Sequence, residues 1–186
     1  RLAELAESYS LPMGVGSQRA GLVSEKLADS YTIARKNAPN AFLIANIGGA
    51  QLSAGLSVEK VKRLIDMISA DALVVHLNPL QELVQPEGEP RYSGVLRCIS
   101  DLVKIIEVPV IAKEVGAGIS GEAALKLSDV GVSAINVAGA GGTSWAGVEK
   151  VRAESASERL KTRLGELFWD WGIPTALSII VVRRTL

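Results

Sequence analysis

Five short apolar runs recur along this chain, and a helical pattern follows each of them. The runs are rich in branched side chains, which favours buried strands, and each is short enough to be a strand rather than a helix. Strands that alternate with helices are typical of parallel pairing through right-handed crossovers. The predicted strands are residues 12–16, 42–46, 72–77, 110–113 and 134–137.

The segments between the predicted strands are amphipathic. Residues 58–68 place Val58, Val61, Leu64 and Ile68 on one side at helical spacing, with charged residues elsewhere. The same spacing predicts helices over 96–106 and, less regularly, over 123–130. The chain is therefore predicted to be an α/β protein, with either an open sheet or a strand-helix barrel.

Polar residues at the ends of the strands favour the barrel. An open doubly wound sheet concentrates its ligand residues at one switch point, whereas a barrel collects them at its mouth from many consecutive strands. Here a polar group follows every predicted strand, namely Ser17 and Arg19, Asn46, His76 and Asn78, Lys113, and Thr143.

The length of the chain does not allow a complete barrel. A TIM (β/α)8 barrel takes roughly 250 residues, whereas this chain has 186. We expect a single domain over 1–186, an incomplete TIM barrel with about five of its eight units. It begins at Arg1 without Met and ends after a helix-like pattern, so we expect a fragment of a longer protein. Alone, its unpaired edges would aggregate or recruit another copy.

The composition of the chain indicates which kinds of binding partner and which cellular compartment to expect. The chain is 48% apolar, and its 20 basic and 20 acidic residues leave no net charge, so neither nucleic acid nor a membrane is an expected partner. The longest apolar run near the end, 179–182, is too short to cross a bilayer. Cys98, the single cysteine, cannot form an internal disulfide, and we expect a buried thiol in a cytoplasmic protein.

Residues 76–82 carry the densest set of chemically useful side chains, including His76, the only histidine. His76 and Asn78 lie two positions apart on the predicted strand and would face one ligand. The alternative for His76 alone is a hydrogen-bonded core residue. Gln81 and Glu82 suit a hard cation such as Mg²⁺ shared with a phosphate. One His and one Cys make a zinc site improbable.

Lys113 and two glycine-containing segments are candidates for binding an anion. Lys113 ends a strand facing inward, where its charge requires either an anionic ligand or an ion pair with an acid such as Glu114. The glycine-rich turn 139–144 can offer backbone amides to anionic oxygens. Residues 17–19 could bind phosphate at a helix entrance, although Arg19 fits a surface ion pair equally well.

Several motifs, taken in order, resemble type 2 isopentenyl-diphosphate isomerase, the flavin-dependent family. The resemblance covers nearly the whole chain, and the longer motifs, such as 76–88, are its most specific parts. The matching segments are 14–19, 45–48, 76–82 with 85–88, 113–116, 141–145 and 170–175.

The resemblance implies a barrel that binds reduced FMN and Mg²⁺ and interconverts isopentenyl and dimethylallyl diphosphate without net redox change. It implies NADPH as the reductant and a homo-oligomer. Trp145 would form part of an apolar wall for the substrate tail, or pack at the barrel rim. The residues implied to contact FMN are Ser17, Asn46, Lys113 and Thr143; those for the substrate are Ser17, Gln18, Arg19 and the catalytic His76, Asn78 and Gln81; Glu82 would hold Mg²⁺.

The chain also departs from this family. Asn136 and Ala138 stand where the family usually has Asp and Ser, and the family's first strand and later flavin-phosphate segments have no counterpart. We therefore expect the isolated segment to bind FMN poorly and to have negligible activity. The alternatives are an FMN-dependent barrel oxidoreductase acting on a 2-hydroxy acid and a non-catalytic partial barrel.

Overall fold

The computed structural model describes residues 1–186, apart from the side chain of Glu25. The described chain forms one five-stranded sheet in which every neighbouring pair is parallel and the strands follow chain order. This curled half-barrel confirms the predicted incomplete α/β barrel. The strands are β1 (Met13–Gly14), β2 (Leu43–Gly48), β3 (Ala72–His76), β4 (Val110–Lys113) and β5 (Ala134–Asn136).

The three predicted helices are present with shifts of one or two residues at their ends. The helix Val58–Met67 begins after a capping serine, since Ser57 Oγ accepts a hydrogen bond from the backbone N–H of Lys60. No described helix has the length and apolar character needed to cross a membrane. The helices are α1 (Leu2–Ser8), α2 (Arg19–Val23), α3 (Glu25–Asn37), α4 (Gly49–Ser53), α5 (Val58–Met67), α6 (Pro79–Val84), α7 (Val95–Ile105), α8 (Gly121–Asp129), α9 (Trp145–Ser155), α10 (Arg159–Leu167) and α11 (Thr175–Thr185).

The core lies between the convex face of the sheet and the helices that cover it. Alternate strand residues point to this side, because successive side chains of a strand face opposite ways. Each fully buried aliphatic side chain there stabilises the fold by roughly 1.5–3 kcal/mol. The strand residues that belong to the core are Leu43, Ala45, Ile47, Leu73, Val75, Val110 and Ala112, all buried.

The concave face is only partly covered, because the sheet does not close. On β2, Ile44 and Asn46 are half-buried on this face. At the edge of the sheet, Ala134 and Asn136 of β5 are exposed. The concave side chains at the carboxyl ends of the strands therefore face an open hollow.

A long segment, residues 137–174, separates β5 from the helix that follows it in the barrel pattern. This segment carries α9 and α10, which pack against each other and against α6. The chain then returns through a parallel bridge between Ala140 and Pro174, and α11 packs on α8. Ser178 Oγ, in α11, accepts from the N–H of Ile119 at 2.9 Å and donates to its carbonyl at 2.8 Å. We call residues 137–174 the mouth segment, which the apolar periodicity did not predict.

Candidate functional site

Four strands bring one row of residues to the concave face at their carboxyl ends. Gly48 pairs in register with His76, His76 with Lys113, and Lys113 with Asn136. Residues in register on parallel strands face the same side of the sheet. Asn46, two positions before Gly48, also faces this side, and His76 Nδ1 lies 2.8 Å from its Oδ1. Asn46, His76 and Lys113 therefore gather on one face, as expected, while their roles remain predictions.

Hydrogen bonds fix the tautomer of His76. Asn46 Nδ2 donates to the carbonyl of Val15 at 3.0 Å, so its Oδ1 is the atom that faces His76. An amide oxygen only accepts, so Nδ1 of His76 carries the proton and Nε2 is left with its lone pair. Burial, helped by the charge of Lys113, lowers the pKa of His76 to about 4. The imidazole is therefore neutral at neutral pH.

Position 48 requires a glycine, because the side chains of Gln51 and His76 lie close to its Cα. A Cβ added there would lie 2.1 Å from Gln51 Oε1 and 3.0 Å from His76 Nε2. Gln51 Oε1 accepts from the N–H of Gly48 at 2.8 Å, so it cannot move away without losing that bond. A side chain at position 48 would thus break the bond to Gln51 and press against the imidazole of His76.

Lys113 is half-buried and forms no ion pair with Glu114. Its Nζ donates to the carbonyl of Glu114 at 2.8 Å. The buried Glu114 carboxylate accepts instead from the N–H groups of Val115, Gly116 and Ala117, at 2.5–2.6 Å. The predicted alternative of an ion pair with Glu114 is therefore wrong, because the turn after β4 wraps its own amides around that carboxylate. Burial lowers the pKa of Lys113.

Asn78 does not share a strand face with His76, so that prediction is wrong. β3 ends at His76, and Asn78 is the N-cap residue of α6, because Pro79 starts the helix. Asn78 is 4% exposed. Its side chain bonds to the Tyr92 hydroxyl at 2.6 Å, to Gln81 Oε1 at 3.1 Å and to Glu82 Oε1 at 3.2 Å.

Gln81 lines a cavity of about 140 Å³ at the mouth of the half-barrel. Its Nε2 donates to Oε1 of Glu149 at 3.0 Å, and Arg152 donates to the other oxygen of that carboxylate at 2.6 Å. Glu149 is buried, and sequence reasoning missed it. The sequence could have indicated this residue, because Glu149 lies on one face of α9 with Ala146 and Ala153. An acid among small buried residues requires a polar partner.

The rest of that cavity is built by the mouth segment and by the turn after β4. Thr143 and Trp145 line it, with Thr143 exposed and Trp145 43% exposed. Trp169 and Trp171 come from the far end of the mouth segment. Three indoles therefore border a small hollow beside Gln81.

Glu82 faces a second cavity, of about 350 Å³, that also contains Arg19. The Glu82 carboxylate accepts from Asn78 Nδ2 and, at 2.9 Å, from the N–H of Glu89. Among the described residues no group of three or more acidic, His or Cys side chains is placed to hold a metal. Arg19 and Glu82 thus line one cavity, whereas Gln81, the neighbour of Glu82 on α6, lines the other.

The three residues of the predicted phosphate segment have different surroundings. Gln18 is fully buried, where Nε2 donates to the Leu64 carbonyl and Oε1 accepts from the N–H of Asn46, both at 3.0 Å. Its predicted contact with substrate is not supported, because the amide is committed to joining α5 to β2. Ser17 and Arg19 are exposed.

Curated proteins with closely similar sequences share one name. Isopentenyl-diphosphate delta-isomerase of Methanosarcina acetivorans is 52% identical over 185 residues, which is 100% of this chain and 50% of that protein. The protein of the same name from a Nostoc species is 53% identical over 183 residues, 98% of this chain and 51% of its own length. The chain is homologous to these isomerases. It spans about half the length of the relatives it matches.

Other comparisons add little. No family model matches the chain. A crystal structure of the Amycolatopsis orientalis BexX/CysO complex superposes with a TM-score of 0.41 at 16% identity, covering 86% of this chain and 68% of that one. A similarity of that size carries no functional argument.

Proposed function

We propose that the protein is an isopentenyl-diphosphate delta-isomerase of the flavin-dependent type, which interconverts isopentenyl and dimethylallyl diphosphate with reduced FMN and Mg²⁺. The observation that carries the proposal is the identity of about half of all residues, over the whole chain, with proteins of that name. The parallel half-barrel with polar strand ends supports the flavin-dependent type, because its open mouth suits a large anionic cofactor.

Lys113 is the residue that best fits a flavin. It faces the concave hollow, and none of the ion pairs among the described residues involves it. A half-buried ammonium without a carboxylate partner favours an anion in the same hollow. Asn46, Ser17 and Thr143 would complete the contacts. When bound, reduced FMN supplies proton exchange with the substrate without net redox change.

Arg19 and Glu82 fit the diphosphate end of the substrate. Mg²⁺ commonly takes one or two carboxylates and completes its shell with water and substrate phosphate, so Glu82 needs no second protein carboxylate. Arg19 lines the same cavity and would neutralise phosphate charge. His76 lies next to Lys113 in the row on the concave face, and its neutral imidazole leaves Nε2 able to accept a proton.

The indole-bordered cavity suits the apolar part of the substrate. Trp145 and Leu80 line it together with Gln81. A five-carbon tail packed against these apolar side chains would be removed from water. Trp145 thus fits the predicted apolar wall.

The test is a chimera in which the relative supplies the half of its own length that this chain does not match. Residues 1–186 replace the matching 185 residues of the Methanosarcina acetivorans relative. We expect this chimera to isomerise isopentenyl diphosphate only with reduced FMN and Mg²⁺. A folded chimera that isomerises without flavin would contradict the flavin-dependent type, and one that binds FMN but never isomerises would contradict the reaction.

A matched pair of lysine variants tests the flavin contact. Lys113→Met removes the cation on the concave face, whereas Lys104→Met removes an exposed cation from α7. We expect FMN to bind the Lys113→Met chimera at least tenfold more weakly, because a charge-assisted contact is lost. Equal FMN affinity in both variants would contradict the placement of flavin at Lys113.

A further inference from the structure

The hydroxyl of Tyr92 forms two hydrogen bonds with one residue, Asn78. It lies 3.0 Å from the backbone nitrogen of Asn78 and 2.6 Å from its side-chain Oδ1. Tyr92 precedes α7, whereas Asn78 is the N-cap residue of α6. The contact therefore joins the chain before one helix to the N-terminus of another.

The donors and acceptors in this contact have one consistent direction. A backbone N–H only donates, so the Tyr92 oxygen accepts from Asn78 N and its own proton goes to Oδ1. The opposite orientation of the Asn78 amide would leave the hydroxyl proton without a partner. It would also set Oδ1 against the oxygens of Gln81 and Glu82.

The orientation of the Asn78 amide in turn fixes the hydrogen bonds of Gln81 and Glu82 on α6. Nδ2 of Asn78 donates to Oε1 of Gln81 and to Oε1 of Glu82. With its oxygen occupied, Gln81 presents Nε2 to Glu149, at 3.0 Å. One hydroxyl thus determines which atom of Gln81 faces Glu149 and how the Glu82 carboxylate is held.

We propose that Tyr92 is a positioning residue, which fixes the Asn78 amide and through it orients Gln81 and Glu82 for a diphosphate substrate and its Mg²⁺. The effect on the reaction rests on the proposed function, whereas the hydrogen bonds themselves do not. Asn78 itself is buried, so the orientation of its amide is set by the protein groups around it.

Two further observations support Tyr92 in this role. Burial raises the pKa of Tyr92 to about 12, so the hydroxyl keeps its proton throughout the neutral range. The phenol ring packs beside Gly49, where an added Cβ would lie 3.2 Å from Tyr92 Cε1 and 2.8 Å from Leu77 Cδ2. The ring therefore has little room to turn away from Asn78.

The first test measures the Asn78 side-chain amide by NMR in the 186-residue chain, with Asn78→Asp assigning its signals. Tyr92→Phe should shift the amide signals of Asn78 and Gln81 and speed their hydrogen exchange by roughly tenfold or more. The control is Ser178→Ala, which removes a buried hydroxyl that also bonds twice to one residue, Ile119. Unchanged amide signals in Tyr92→Phe, or equal changes in the control, would overturn the proposal.

The second test measures the consequence in the chimera described above. Tyr92→Phe should lower kcat on the order of tenfold or more, because Gln81 and Glu82 lose their orientation. Ser178→Ala, with a comparable loss of thermal stability, should keep kcat. An equal fall in both variants would overturn the positioning role. An inactive chimera would count against the proposed function, while the NMR result still decides the role of Tyr92.

Discussion

Nδ1 of His76 and Oδ1 of Asn46 meet at 2.8 Å across neighbouring parallel strands. Asn46 is held in turn by the carbonyl of Val15, beyond the end of β1. Three consecutive units of the half-barrel are therefore joined by polar contacts on the concave face. The imidazole at the end of this chain is neutral, and its titration can be followed alone because the chain has one histidine.

The NMR titration of His76 should show a midpoint near pH 4 instead of 6.5, because burial and Lys113 both oppose the charged form. The single imidazole Cε1–H signal reports it directly. Lys113→Met should raise the midpoint, since one of the two causes is removed. A midpoint above 6 in the unmodified chain would contradict the buried neutral imidazole.

Stability should fall as the solution is made acidic, through the same group. Between pH 6.5 and about 4 the unfolded chain binds a proton at His76 that the folded chain does not, so the free energy of unfolding rises with pH across this window. The full effect is on the order of 3 kcal/mol. Urea unfolding at pH 7 and pH 4.5 should show it as a difference between the unmodified chain and His76→Gln. Parallel pH curves for the two would refute the linkage.

Arg35→Lys should destabilise the fold by about 3 kcal/mol, because a lysine cannot replace a planar guanidinium with several partners. The side chain is 21% exposed and pairs with Asp71 at 2.9 Å. Urea unfolding measures the loss, and Arg97→Lys, in an exposed 4.0 Å pair, should change it little. Similar losses in both would contradict this reading. The carbonyls that accept from Arg35 belong to Ala38, Pro39, Ala41, Ile68 and Ser69.

Gly165→Ala should destabilise the packing of the mouth segment by about 1–3 kcal/mol, as overpacking does. An added Cβ would lie 2.5 Å from Lys150 Cβ and 2.9 Å from both the Ala146 carbonyl oxygen and Val84 Cγ1. Gly16→Ala is the control, since its Cβ would meet nothing within 4 Å. Thermal melts should give a lower Tm for Gly165→Ala than for Gly16→Ala. Equal Tm values would contradict the prediction and show that α10 can shift to make room for the added methyl group.

Residues 1–186 alone should bind FMN weakly and show negligible isomerase activity. The row that faces the hollow lies on an open sheet, and Asn136 at its edge is exposed, so water competes for every polar contact. A spectrophotometric FMN titration measures the affinity. A dissociation constant in the micromolar range or below would refute this expectation.

Predictions from local sequence patterns fail for two buried polar side chains of the site. Its spacing from His76 predicts that Asn78 lies on the strand, but Pro79 starts a helix one residue later, and the Asn78 amide bonds to Tyr92. The motif at residues 17–19 predicts that Gln18 contacts substrate, but its amide joins α5 to β2. In both cases the side chain bonds to a residue of another part of the fold, which neither local periodicity nor a short motif encodes.

The sequence by itself determined the strands, their parallel order and the placement of Asn46, His76 and Lys113 on one face, because alternation along a strand and the apolar runs are local properties. Only the tertiary structure decided which polar atoms meet. Tyr92, Glu149 and the mouth segment have their effect through contacts between elements distant in sequence, and such contacts depend on how helices pack after the sheet has formed.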